Sequence, residues 1–347
     1  MVNKQFRLGM LAFALVFGVT VVGCDLFNDQ KEADLFTVKS FEGWDKAVQA
    51  IREGGDNKEY TITVTDDFSV DGWIGSNGTF GASNITVTLQ GDRTISTSGG
   101  RVLVIGADQT IIAKDLTLRG DGTSYVVLIE AQGNFRMEGN ATVTNAGGWG
   151  RAVRLEGTDV WGNTDRPGTF TMQDNASVTG NTADSFQGAG VSVNNGTFIM
   201  KDNASVSGNT CTRTSGAGVY VSPHGTFIIS GGTISDNTSD RSGGGVCIDS
   251  GTFTMEGGTI AGNKAGMHGG GIYLNKSIYG GLPTFTKNGG TIYGSNEGAN
   301  SNTAKNNNPA GIGDALYYES DGKWRNATAG PDVKYSANNN DFWLNES

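Results

Sequence analysis

The fold is decided by four short segments that follow one another: Gly218-Val219-Tyr220-Val221, Gly225-Thr226-Phe227-Ile228-Ile229, Gly232-Thr233-Ile234-Ser235 and Asp236-Asn237. The same order returns one period later as Gly245-Val246-Cys247-Ile248, Gly251-Thr252-Phe253, Gly258-Thr259-Ile260 and Asn263. One period earlier it reads Gly190-Val191-Ser192-Val193, Gly196-Thr197-Phe198, Ala204-Ser205-Val206 and Asn209. The spacings Phe170 to Phe198, Phe198 to Phe227 and Phe227 to Phe253 are 28, 29 and 26 residues. Each period therefore holds three short, alternating apolar and polar segments bounded by Gly, Asn, Ser or Asp, the signature of strands and turns.

No helix fits between the segments, which excludes βαβ architecture. A propeller blade needs about 40–45 residues and four strands. A coil of three strands and three turns fits about 22–30 residues. Stacked coils place equivalent strands in parallel about 4.8 Å apart. The expected fold is all-β: a right-handed parallel β-helix. Its inward positions stack like on like. Phe170, Phe198, Phe227, Phe253 and Phe285 form an aromatic column, and Val191, Val219, Val246 and Ile272 an aliphatic one. Asn181, Asn209, Asn237, Asn263 and Asn296 form an Asn ladder, each amide bonding to its copies above and below. Asn also tolerates the left-handed backbone expected of such a turn.

The period extends toward the N-terminus in degenerate form. Arg101 to Leu118 reads as one coil and Tyr125 to Val143 as the next. Before them, Phe41 to Gly54 carries Trp44, Ala47, Val48 and Ile51 at helical spacing and ends at Gly54-Gly55. This helix is expected to cap the first coil, covering an open sheet edge. At about 28 residues per coil, residues 60–347 give roughly ten coils, about 45–50 Å of rod. The regular repeats run over about 130–297. Residues 298–347 are less regular, and Ala315 to Tyr318 with Phe342-Trp343-Leu344 are expected to close the far end.

The composition agrees. Of 347 residues 55 are Gly, 30 Asn and 36 Thr, with only 5 Pro and 17% charged. Gly at this level disfavours long helices. Collagen would need Gly at every third position with abundant Pro. Regularly placed Val, Ile and Phe, within 36% hydrophobic residues, argue against disorder. A net charge of −10 without a basic stripe excludes nucleic acid as an expected partner.

The first residues read as an address. Lys4 and Arg7 precede the apolar run Leu8 to Val22, which is short for a membrane span. Val21-Val22-Gly23-Cys24 resembles a bacterial lipobox. The resemblance implies that residues 1–23 are a cleaved signal and that Cys24 is acylated, becoming the mature N-terminus. The membrane is then a partner through the acyl chains on Cys24, with 24–39 as a polar tether and 40–347 as one β-helix domain. Asp25 resembles an inner-membrane retention signal of enteric bacteria. The expected location is the bacterial envelope, with the outer membrane or surface favoured and the periplasmic face of the inner membrane as the alternative.

The coil logic resembles the pectin-lyase-like superfamily. Gly244-Gly245-Val246-Cys247 and Gly270-Gly271-Ile272-Tyr273, paired with Ile234-Ser235-Asp236-Asn237 and Ile260-Ala261-Gly262-Asn263, resemble the chlamydial polymorphic outer-membrane protein repeat, with Ile in place of its Phe. Repeat lipoproteins of spirochaetes look similar. The resemblance covers about residues 130–297 and implies surface display and adhesion.

Asn163-Thr164-Asp165 matches one short polygalacturonase motif, but none of the partner motifs Asp-Asp, Gly-His-Gly and Arg-Ile-Lys follows it. Asp174 and Asp202 occupy equivalent positions and read as turn residues. His224 and His268 fall in different turns, are expected to be exposed, and form no ligand set. Cys211 and Cys247 differ in phase and read as unbridged thiols. No cofactor or metal set is expected. Insertions at Thr158 to Pro167 and Lys276 to Pro283 leave from one corner. With the outward strand residues beside them they give a candidate binding face of Trp161, Asp165, Arg166, Tyr220, Tyr273 and Tyr279, suited to a host protein or a glycan. The sequence thus points to a non-catalytic, lipid-anchored, adhesin-like surface protein. A polysaccharide lyase or glycoside hydrolase, and a structural envelope protein, are the alternatives.

Overall fold

The computed structural model describes residues 34–72, 78–157, 167–276, 281–294, 298–305, 315–318, 323–325 and 333–335. Cys24 and the expected leader lie outside the described residues. The chain is an all-β parallel β-solenoid, with three sheets and one α-helix among the described residues, consistent with the right-handed parallel β-helix expected from the repeats. The second sheet stacks nine strands, from Phe68–Gly72 to Thr291–Ile292. Nine strands make eight steps, about 38 Å of rod. That is shorter than the ten coils expected. Among the described residues the chain beyond Ala304 adds only one more parallel strand, Leu316–Tyr318 on Ile272–Asn275. Lys323–Arg325 and Val333–Tyr335 then pair antiparallel on Leu316–Tyr318 and Thr284–Lys287. Phe342 to Leu344 lie outside the described residues.

The three sheets are partitioned differently from the three segments read in the sequence. The Gly-Val-x-Val and Gly-Thr-Phe segments belong to one broad sheet. In Val191–Met200 and Val219–Ile229 they are a single strand. The Ala-Ser-Val and Gly-Thr-Ile segments make the second sheet. The third sheet consists of two-residue strands directly after each ladder Asn: Thr182–Ala183, Thr210–Cys211, Thr238–Ser239, Lys264–Ala265 and Thr303–Ala304. Two residues are too few to display an alternating pattern, so this side of the coil reads in sequence as turn.

Register is strict. Phe170 pairs with Phe198, Phe198 with Phe227, Phe227 with Phe253 and Phe253 with Phe285. Their rings stack at 4.7–4.9 Å, and Phe135 adds a sixth ring at 5.4 Å from Phe170. All six are buried. Val191, Val219, Val246 and Ile272 form the aliphatic column, also fully buried. Parallel in-register pairing makes each coil the template for the next, so a residue that fits once fits again.

The Asn ladder is the most ordered polar feature. Asn181, Asn209, Asn237, Asn263 and Asn302 are fully buried. The main-chain N–H and the Nδ2 of each donate to the Oδ1 of the next: 3.1 and 2.8 Å for Asn181 to Asn209, 3.0 and 2.9 Å for Asn209 to Asn237. Asn237 to Asn263 and Asn263 to Asn302 repeat this. Each Nδ2 spends a second proton on a carbonyl, as Asn237 does on Val206 at 3.0 Å. Asn302 replaces the expected Asn296, which lies outside the described residues. The ladder residue is the one immediately before a third-sheet strand, and the chain passes through a 3₁₀ turn, Gly298–Asn300, before reaching it. The left-handed backbone is also displaced from expectation. It sits on the residue before four of the five ladder Asn: Gly180, Gly208, Asp236 and Gly262, at φ of 57–67°.

Beside the ladder runs a glycine column that the ladder requires. A Cβ on Gly218 would lie 2.5 Å from the Gly245 carbonyl oxygen and 2.9 Å from Asn237 Nδ2; on Gly245, 2.6 Å from Gly271 O and 3.0 Å from Asn263 Nδ2. The amides can reach across the corner only because nothing else is there.

The helix Phe41–Gly54 buries Trp44, Ala47, Val48 and Ile51, and Ser40 caps it by accepting from the Gly43 N–H at 3.3 Å. Trp44 packs on Phe68 and Phe80, with ring centroids 6.0 and 5.9 Å away. The helix thus covers the start of the second sheet. The end of the expected tether is structured: Asp34–Val38 pairs in parallel with Glu59–Val64, because Phe36 and Val38 alternate inward and bury.

Replacing Asn237 with Ala strands the Asn209 donors and removes one of the two donors to the Asn263 Oδ1. A loss of about 3 kcal/mol or more is expected. Thr226→Ala, on the outward side of Phe227, should change stability by less than about 0.5 kcal/mol. Urea unfolding followed by circular dichroism compares the two.

Candidate functional site

The outer face of the broad sheet carries the Gly-Val-x-Val side chains that do not enter the core. In register, its middle column reads Val104, Leu128, Arg154, Ser192, Tyr220, Cys247, Tyr273, Tyr317. The next outward position gives Glu130, Glu156 and Asn194, then Ser222, Asp249 and Asn275.

At the C-terminal end of this column, Tyr220 and Tyr273 are outward but not accessible. They are 9% and 7% exposed and form one cluster with Cys247, against which Tyr317 packs. The physical reason is the turn after the third sheet, which folds back over the strand. A Cβ on Gly216 would lie 2.9 Å from Cys247 Cβ, and on Gly243 at the same distance. The Tyr220 hydroxyl donates to Asp249 at 2.8 Å, and burial pushes its pKa well above the ordinary phenol value. These two tyrosines therefore leave the expected binding face. Trp161, Asp165, Arg166 and Tyr279 of that face, and Asn163 and Thr164, lie outside the described residues.

Toward the N-terminal end Val104 and Leu128 are buried as well, and a cluster not singled out from sequence gathers around the half-buried Arg101, Tyr125 and Arg154. Arg101, Tyr125 and Arg151 sit two residues before the paired positions Leu103, Val127 and Val153 on consecutive coils. The guanidinium carbons of Arg101, Arg151 and Arg154 lie 5.6, 5.7 and 5.2 Å from the Tyr125 ring centre. The Tyr125 hydroxyl oxygen accepts from Arg154 at 2.6 Å and from Arg151 at 3.2 Å. Arg151 is buried; its Nε donates to the Gln187 carbonyl at 3.0 Å and its guanidinium covers Phe186 at 4.4 Å. Burial, and then the charge of Arg154, lower its pKa from the ordinary guanidinium value. Trp149, 71% exposed, stands 6.0 Å from Phe186.

Two carboxylates face the arginines. Glu156 pairs with Arg154. Glu130 lies one coil away, since Leu155 pairs with Ile129. Burial raises the Glu130 pKa; Arg101 opposes this and Glu156 adds to it. The signal for this site was present in the sequence as the degenerate coils. Aligning Arg101, Tyr125 and Arg151 by phase brings them together, but without the Gly-Thr-Phe landmark the phase is hard to fix.

The other candidates fall elsewhere. Asp174 and Asp202 have φ of 55° and 56° and serve as turn residues. The Gly139 N–H donates to Asp174 at 2.9 Å and the Asp174 N–H to Asp202 at 3.2 Å. His224 is exposed. His268 is not fully exposed as expected: it stacks on Tyr317 with centroids 4.3 Å apart. Cys211 and Cys247 are both buried and form no disulfide. Burial raises the Cys211 thiol pKa.

The chain matches no known protein family, no curated protein and no solved structure.

Two predictions come from these environments. A carboxyl whose pKa is raised in the fold binds more protons folded than unfolded, so stability falls as pH rises from the unfolded value of about 4.5 through the folded one. Glu130→Gln removes that decline: its melting temperature should exceed the parent's at pH 7 by more than at pH 4. Cys211 should resist iodoacetamide in the native protein and label only after unfolding, as read by peptide mass spectrometry.

Proposed function

We propose that this protein is a non-catalytic, lipid-anchored binding protein of the bacterial envelope, adhesin-like in use, with the solenoid as a rigid rod that presents a binding face to host or neighbouring surfaces. The observation that carries this reading is the convergence of Arg101, Arg151, Arg154 and Tyr125 beside the exposed Trp149. Arg, Tyr and Trp are the residues that dominate recognition surfaces. Here Arg151 is fixed by Phe186, Tyr125 and the Gln187 carbonyl, and Arg154 by Tyr125 and Glu156, so their ordering costs binding little. The Val21-Val22-Gly23-Cys24 segment supplies the anchor in this reading, and the likeness to chlamydial and spirochaete repeat proteins agrees with surface display.

A second reading, a polysaccharide-active enzyme, is favoured by one observation. Glu130 and Glu156 stand on neighbouring coils in different environments, one raised in pKa by burial and one paired with Arg154. Two carboxyls in different environments are what acid–base cleavage of a glycosidic bond uses.

Glycan and matrix-protein arrays probed with the detergent-solubilised chain should show retained ligands. Assays for new reducing ends and unsaturated uronates on the same glycans should stay at background. Turnover of any polysaccharide sinks the binding-protein reading, and an array with no retained ligand does the same. For the anchor, Cys24→Ser should move the protein from the membrane fraction to the soluble fraction.

A further inference from the structure

We propose that Trp149, Tyr125 and the guanidinium groups of Arg101, Arg151 and Arg154 form a subsite for an acidic sugar residue of a polysaccharide. This rests on the reading of the protein as a binder and names the chemistry of what it binds.

The first argument is charge. The chain carries a net −10, yet three guanidinium groups converge on one phenol ring within 6 Å. The facing carboxyls are Glu130 and Glu156. Glu156 is engaged by Arg154, and Glu130 is half-buried, which disfavours its ionised form. The cluster therefore holds an excess of positive charge in an acidic protein. Like charges brought this close are unfavourable unless an anion completes them.

The second argument is unspent donors. The Nε atoms of Arg101 and Arg154 are buried and have no acceptor among the described residues. A buried N–H without an acceptor is costly. Guanidinium N–H groups match the paired oxygens of a carboxylate or a sulfate, which accept two parallel bonds.

The third argument is shape. Arg151 is held from three sides, by Gln187, Tyr125 and Phe186, so it is already positioned for a ligand. Trp149 projects into solvent beside it. An indole face carries negative quadrupole charge and attracts the positively polarised C–H bonds on the flat side of a sugar ring. A charged clamp with an aromatic platform next to it selects a ring bearing an acidic group. The surrounding negative protein disfavours a densely charged polyanion such as nucleic acid, while repulsion of a sparsely charged polymer is screened within about 10 Å at moderate salt.

The test measures binding of the full chain in detergent to three immobilised polymers: hyaluronan, which carries carboxylates only; keratan sulfate, which carries sulfates only; and dextran, which carries neither. Retention on one or both acidic polymers, with dextran at background, is expected, and which of the two binds identifies the acidic group. Trp149→Ala and Arg154→Gln should each weaken that binding about tenfold or more, and added salt should weaken the parent's. Trp149 is largely exposed, so its variant keeps the test intact should Arg154→Gln unfold. No binding to either acidic polymer overturns the subsite. So does equal binding to dextran, or binding unchanged in both variants. If the wider arrays still show a ligand in any of these cases, the binding-protein reading survives and only the acidic subsite falls.

Discussion

The side-chain oxygen of each ladder asparagine after Asn181 accepts two protons from the coil before it, and the rest of the solenoid is spaced to allow this. The bond requires a coil-to-coil step of one strand spacing, a buried corner, and no side chain at the adjacent column. The glycines at 190, 218, 245 and 271 meet the last condition. The stacked phenylalanines meet the first, since their 4.7–4.9 Å ring spacing is the strand spacing itself. A buried primary amide has four hydrogen-bonding positions to satisfy. Only stacking against its own copies, with a neighbouring carbonyl for the spare proton, satisfies them repeatedly. The ladder is therefore both a product of the repeat and a penalty on any coil that leaves it.

Where the ladder stops, the surface changes character. At Ala146 the amide side chain is gone, and only the main-chain N–H donates to Asn181, at 2.9 Å. Just there the outer column of the broad sheet passes from the covered tyrosines to Arg154 and its neighbours. The regular coils fold their post-strand turns over the outer face, through glycines pressed on Tyr220 and Cys247. Arg151, in the less regular coil, covers Phe186 of the following turn with its guanidinium, and Trp149 stands beside it in solvent. Regularity thus builds the rod, and departure from it leaves room for a site.

Legibility in the sequence follows the same division. The Phe and Val columns, the capping helix around Trp44 and four of the five ladder asparagines could be read directly, because each is a residue type fixed at one phase of a period. Asn302 could not, since the excursion ahead of it breaks the count. The third sheet could not, because its strands have only two residues. Tyr220 and Tyr273 were legible as outward but not as buried; alternation gives the side of the sheet, whereas cover comes from a turn whose path no local pattern records. The arginine cluster was written in the sequence at Arg101, Tyr125 and Arg151 but spread over fifty residues of degenerate repeat, with Phe186 and Trp149 contributed from turns.

The sequence by itself determined that this chain is a parallel β-solenoid, which residues line its core, and that glycine and asparagine serve its corners. Those are consequences of period, and period is local information repeated. Only the tertiary structure decided which outward residues meet water and which charges meet one another. Those depend on how turns of unequal length fold across neighbouring coils, and on the coil-to-coil register that brings Arg101, Arg151 and Arg154 around one phenol.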